Sequence, residues 1–127
     1  MKVNYKSVLG VLAGIALGMG VAGSALAQKS VLPVYVVNEI DVIDDALFKT
    51  YSSSQQTLIE KHGGKYIIRG GKVGAIDGTP PKRFTIYVFD NADKLQAWQN
   101  DPAQKAIWAT RGKAGKFRTF TAEGLAK

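Results

Sequence analysis

The run PVYVVNEIDV, residues 33–42, is rich in β-branched side chains and bounded by Pro33 and the Asp44-Asp45 pair, which marks it as a strand. Val34, Val36, Asn38, Ile40 and Val42 fall on one face; Tyr35, Val37, Glu39 and Asp41 fall on the other. Apolar residues on both faces suit a central strand covered at least partly on both sides. Asn38 and Glu39 interrupt that pattern, and a buried polar group is costly unless partnered.

Downstream the period changes from two to helical. Asp44 is placed to cap a helix from Asp45 to His62, with Leu47, Phe48, Tyr51, Leu58 and Ile59 at spacings compatible with one face. His62 and Gly63-Gly64 end it, one glycine supplying the left-handed cap. KYIIRG, residues 65–70, reads as a second strand, broken or bulged at Gly70-Gly71 and resuming over Val73 to Ile76. The Asp77-Gly78-Thr79-Pro80-Pro81 turn leads into FTIYVF, residues 84–89, expected to be its hairpin partner. Asp90 is expected to cap a second helix carrying Leu95, Ala97 and Trp98. Asp101-Pro102, with Gln104, restarts a helix whose buried side is Ala106, Ile107 and Trp108. After Gly112 to Gly115, FRTFTA at residues 117–122 forms the last strand. The order βαββαβ is the ferredoxin-like α+β plan, an antiparallel sheet with helices on one face. Its open face must be covered, and a homodimer pairing two sheets into a dimeric α+β barrel would cover it.

Upstream, Lys2 and Lys6 precede VLGVLAGIALGMGV, residues 8–21, which carries no charge. Ala25-Leu26-Ala27 then offers a small-x-small cleavage site. Residues 1–27 are therefore expected to be a signal peptide cleaved after Ala27, leaving 28–127 as one domain, periplasmic or secreted. The apolar run is too short and glycine-rich for a comfortable membrane span, so no stable membrane insertion is expected after cleavage. The absence of cysteine excludes disulfides and a lipidated cysteine. The formal charge is +7; the two signal lysines account for two of these, leaving +5, heaviest in Lys105, Arg111, Lys113, Lys116 and Arg118. Such a balance can signal nucleic acid. With an export signal, no nucleic-acid partner is expected, and an anionic small molecule, an anionic membrane surface or plain solubility fits better.

One histidine and scattered carboxylates give no metal set, so no metal and no cofactor are expected. Ser52, Ser53 and Ser54 lie mid-helix and form no nucleophile elbow. Gly70-Gly71-Lys72-Val73-Gly74 lacks both the following helix and the ending of a phosphate loop. What is left is a set of polar groups in apolar settings. Glu39 and Arg69 are either mutual partners or lining for a solvent-filled pocket. His62 is either a helix-ending residue bonded to a nearby carbonyl or an acid–base or ligand-binding group. Tyr87 lies within the third strand. Trp98, Trp108, Phe117 and Phe120 read as core.

The segment from Tyr35 to Val42, the helix with Tyr51, the block His62-Gly63-Gly64-Lys65-Tyr66-Ile67-Ile68-Arg69-Gly70-Gly71, Pro81-Lys82-Arg83, Phe89, Trp98 and Asp101-Pro102 together resemble domain-of-unknown-function family 1330. The resemblance covers nearly all of the chain after residue 27. It implies a dimeric α+β barrel, in a superfamily that includes cofactor-free oxygenases, haem-degrading enzymes and small-ring isomerases. It also implies a ligand pocket between sheet and helices. On these grounds the candidate catalytic residues are His62, Arg69 and Glu39, and the candidate ligand-binding residues are Asn38, Tyr87 and Arg83. The expected function is binding or transforming a small organic molecule, with a non-catalytic binding or interaction module as the alternative.

Overall fold

The computed structural model describes residues 31–126. The expected signal peptide, residues 1–27, lies outside the described residues. Four strands and three helices follow in the expected order: β1 (Val34–Val42), α1 (Asp45–Lys61), β2 (Lys65–Arg69), β3 (Arg83–Phe89), α2 (Ala92–Asn100), α3 (Pro102–Ala114) and β4 (Gly115–Glu123). They form one sheet in the order β2-β3-β1-β4, and every pairing is antiparallel. This is the ferredoxin-like βαββαβ arrangement, with β1 central.

Local chemistry sets the boundaries. The Asp44 carboxylate accepts from Leu47 N–H and caps α1. At the other end Gly63 adopts φ 81°, and the Gly63 and Gly64 N–H groups donate to Glu60 and Ile59 carbonyls. The second cap differs from the expectation: Asn91, not Asp90, accepts from Lys94 N–H, while Asp90 pairs with the Lys94 ammonium at 2.9 Å. Asp101 caps α3 through Ala103 N–H, with Pro102 opening the helix.

β2 does not resume over Val73 to Ile76; from Gly70 to Lys82 the chain is irregular. Gly70 adopts φ 67°, and a Cβ there would lie 2.7 Å from Arg83 Nη2, so the chain turns out of the sheet against the first side chain of β3. A register shift between Tyr66 and Ile68 already disturbs the ladder.

The helices cover the sheet face that bears Val34, Val36, Asn38 and Ile40. Two apolar clusters fill the gap. Val34, Val36, Leu58, Ile59, Tyr87, Phe89, Leu95 and Trp98 form one; Ile40, Phe48 and Ala114 form the other, with Tyr51 and Phe117 packed against it. Phe120, expected in the core, is 46% exposed on the opposite face, because β4 alternation places Phe117 and Thr119 toward the helices.

Candidate functional site

Between the two apolar clusters runs a polar layer. The registers align Arg69 of β2 with Thr85, Thr85 of β3 with Asn38, and Asn38 of β1 with Thr119 of β4. One rung across all four strands is therefore polar, although Val36 and Ile40 two residues either side of Asn38 are core. From above, α1 adds Gln55 and Tyr51, and both Asn38 and Gln55 are buried. Thr119 donates to Asn38 Oδ1 at 2.8 Å, and Arg111 of α3 donates to Thr119 Oγ1 at 3.4 Å. Gln55 donates to the Tyr51 hydroxyl at 3.3 Å, which leaves its carbonyl oxygen buried without a partner.

Three guanidinium groups surround this layer, each lying on an aromatic face. Arg69 sits 4.7 Å from the Tyr66 ring centre, Arg83 sits 4.7 Å from that of Phe48, and Arg111 sits 4.1 Å from Trp108 and 5.0 Å from Phe117. Arg69 also donates to Gln56 Oε1 and Ser52 Oγ. Arg83 Nε is buried without an acceptor. Among the described residues none of the three forms an ion pair with a carboxylate. The small cavity lined by Asn38, Tyr51, Gln55, Tyr66, Arg69, Arg83, Thr85 and Tyr87 measures about 20 Å³, room for one water.

Burial raises the pKa of all three tyrosines. Tyr66 is pushed up to about 12 by desolvation, against the opposing charge of Arg69. Tyr87 is raised further, chiefly by desolvation, its hydrogen bond with Asn38 acting the other way. Tyr51 is raised by burial and pulled back by Gln55 and Arg111. The phenols are neutral hydrogen-bond donors at physiological pH, and among the described residues no Asp, Glu, His or Lys lines the cavity. Such a site can bind an anion or stabilise the ionised form of a weak acid; it holds no ready general base.

Of the residues singled out in the sequence, the structure brings Asn38, Arg69, Arg83 and Tyr87 to this cavity. It does not bring His62 or Glu39 there. His62 Nε2 lies 2.9 Å from Asp101 Oδ2, a carboxylate also paired with Lys61 at 3.0 Å, so it joins the end of α1 to the start of α3. Glu39 is on the opposite sheet face, 3.6 Å from Arg118. The Glu39–Arg69 pairing does not form, because alternation along β1 sends residues 38 and 39 to opposite sides. Arg111 was not expected here. In the sequence it belongs to a late basic cluster, which the fold disperses: Arg111 turns inward, while Lys116 and Arg118 point to the open face. Trp108 and Arg111, three apart on one helix, were the signal in the sequence. Among the described residues no group of three or more His, Asp or Glu could hold a metal ion. No helix among the described residues is long and apolar enough to cross a membrane.

A family model described as a domain of unknown function, DUF1330, matches residues 33–125. The chain belongs to the DUF1330 family. A search of curated proteins gave no match. Among solved structures, the DUF1330 domain is similar to a protein of unknown function from Rhodopseudomonas palustris, with TM-score 0.63 and 15% identity over 84% of this chain and 92% of that one. It is also similar to SnoaB, a cofactor-independent oxygenase from Streptomyces nogalater, with TM-score 0.53 and 12% identity over 76% of this chain and 96% of that one. A dimeric ferredoxin-like protein of unknown function from Thermobifida fusca aligns with TM-score 0.51 and 11% identity over 72% and 91% of the two chains. At these identities the likeness carries the fold.

Proposed function

We propose that this DUF1330 protein is an exported homodimer that binds a small organic anion between its sheet and α1, without a metal. The observation that carries the reading is the set of three guanidinium groups, Arg69, Arg83 and Arg111, stacked on aromatic faces around one polar layer with no carboxylate partner among the described residues. Stacked arginines whose donors meet only neutral acceptors, with Arg83 Nε buried without one, suit a planar carboxylate or enolate, which a guanidinium can grip through two parallel N–H donors. Asn38 and the neutral phenols of Tyr66 and Tyr87 add directional donors. Binding is favoured over acid–base turnover because the cavity lining has no group that titrates near neutrality. Export rests on the charged, apolar and small-residue zones of residues 1–27. The similarity to a cofactor-independent oxygenase supports only that this fold can house chemistry that is independent of a cofactor.

The test is calorimetry or thermal shift of the 28–127 protein with matched anionic and neutral ligands, such as benzoate against benzamide. Anions should stabilise the protein and the amides should not. The Arg69→Gln and Arg83→Gln variants should lose about tenfold or more in affinity, the scale expected for a charge-assisted hydrogen bond. Equal response to charged and neutral ligands, or variants that bind like the parent, would overturn the reading.

A further inference from the structure

The inner cavity, at about 20 Å³, admits nothing larger than a water. A second hollow of about 320 Å³ lies on its other side, between α1 and α3, lined by Leu47, Tyr51, Ile107, Thr110, Lys113 and Ala114. Its volume is that of a small ligand pocket, and among the described residues its only charged lining group is the Lys113 ammonium. Tyr51 belongs to both linings. Its ring lies 5.1 Å from Phe117, and its hydroxyl interacts with Gln55 and Arg111. One side chain thus separates an apolar groove from a polar, cationic interior.

We infer that the α1–α3 groove is the outer half of the ligand site and that its occupant is an amphipathic carboxylate. The short apolar body lies against Leu47, Ile107 and Ala114, and the charged head displaces the Tyr51 hydroxyl to reach Arg111. This rests on the anion-binding reading and gives it a ligand class: the interior has room for one water, so the head enters only as far as the space the Tyr51 hydroxyl vacates and the body has to sit outside it. The hydroxyl to be displaced is held by Gln55 through a long bond of 3.3 Å and by Arg111, the group that the carboxylate would take over.

A series of straight-chain carboxylates from butanoate to octanoate, titrated into the 28–127 protein, tests the inference. Each added methylene should tighten binding by about two- to fourfold until the groove is full, as burial of a methylene predicts. Thr110→Trp and Ser54→Phe, which narrow the groove from α3 and from α1, should abolish the chain-length dependence while the variants keep their circular-dichroism spectra. Arg111→Gln should weaken every member of the series. Affinity independent of length in the parent, or length dependence that survives both groove variants, would overturn the inference. If Arg69 and Arg83 variants still weaken benzoate binding in that case, anion binding itself stands. If affinity grows with length but ignores Arg111, Arg69 and Arg83, the groove binds apolar chains and the anion reading falls with the inference. No response at any length overturns the inference, and the benzoate comparison then decides the anion reading separately.

Discussion

Individual residues show how a polar group in an apolar place can mean two different things. Asn38 breaks an otherwise apolar strand face and proves to be the centre of a polar layer with Thr119 and Tyr87. His62, equally conspicuous in the sequence, holds Asp101. That carboxylate is pulled well below the usual range, first by the hydrogen bond with His62, then by the Ala103 N–H and by Lys61. A carboxylate with a depressed folded-state pKa adds stability above its unfolded value of about 4, and the contribution is lost as pH falls through the folded value. His62→Ala removes the largest cause. Its Asp101 resonance should titrate closer to the ordinary range, and its melting temperature should rise less than the parent's between about pH 2 and about pH 6. A constant difference in melting temperature between parent and variant across that window would show that the contact does not set the Asp101 pKa. Sequence alone marks both residues as anomalies but cannot sort them, since only the strand registers place Arg69, Thr85, Asn38 and Thr119 on one rung.

At the scale of elements, most of the structure is legible in the sequence because each boundary has a local chemical cause: Asp44 at α1, Asp101-Pro102 at α3, glycine after His62. The exceptions arise where two adjacent residues could do the same task or where tertiary contact overrides a local pattern. Asp90 and Asn91 are both competent caps, and backbone geometry selects Asn91. Val73 to Ile76 has strand composition, but the turn at Gly70 against Arg83 carries it away from β3. The α1–β2 junction shows how tight such a connection can be. A Cβ on Gly64 would lie 2.6 Å from Ile59 Cγ2 and 2.8 Å from Phe89 Cε1, both core atoms with nowhere to move. Gly64→Ala should therefore cost about 2 kcal/mol through overpacking, a fall of roughly 10 °C in melting temperature for a domain of this size. Gly71→Ala, where a Cβ meets nothing within 4 Å, serves as the control and should melt within a few degrees of the parent. Equal melting of the two variants would show that the helix–strand junction yields more readily than its packing implies.

The whole molecule has one layer of helices on one side of its sheet and nothing among its described elements on the other. The uncovered side carries Val37 from β1, Phe84, Ile86 and Val88 from β3, Ile68 from β2 and Phe120 from β4, with Ile68 at 39% and Phe120 at 46% exposure. A domain of about 100 residues has little core to spare, and an apolar sheet face of this kind marks an interface. The same face favours a second copy over a foreign partner. Glu39 and Asp41 stand beside Lys116 and Arg118, so the rim bears both signs and is complementary to itself under a two-fold rotation. Sedimentation of the 28–127 protein at micromolar concentration should return twice the chain mass. Phe120→Glu puts a carboxylate in the apolar face of each protomer, where pairing would bury it, and should give a folded monomer, since Phe120 at 46% exposure contributes little to the protomer's own core. Ile68→Lys, on the edge strand, should weaken the dimer without abolishing it, because the edge lies farther from the central strand β1. A parent that sediments as a monomer would show that the apolar face is left to another occupant.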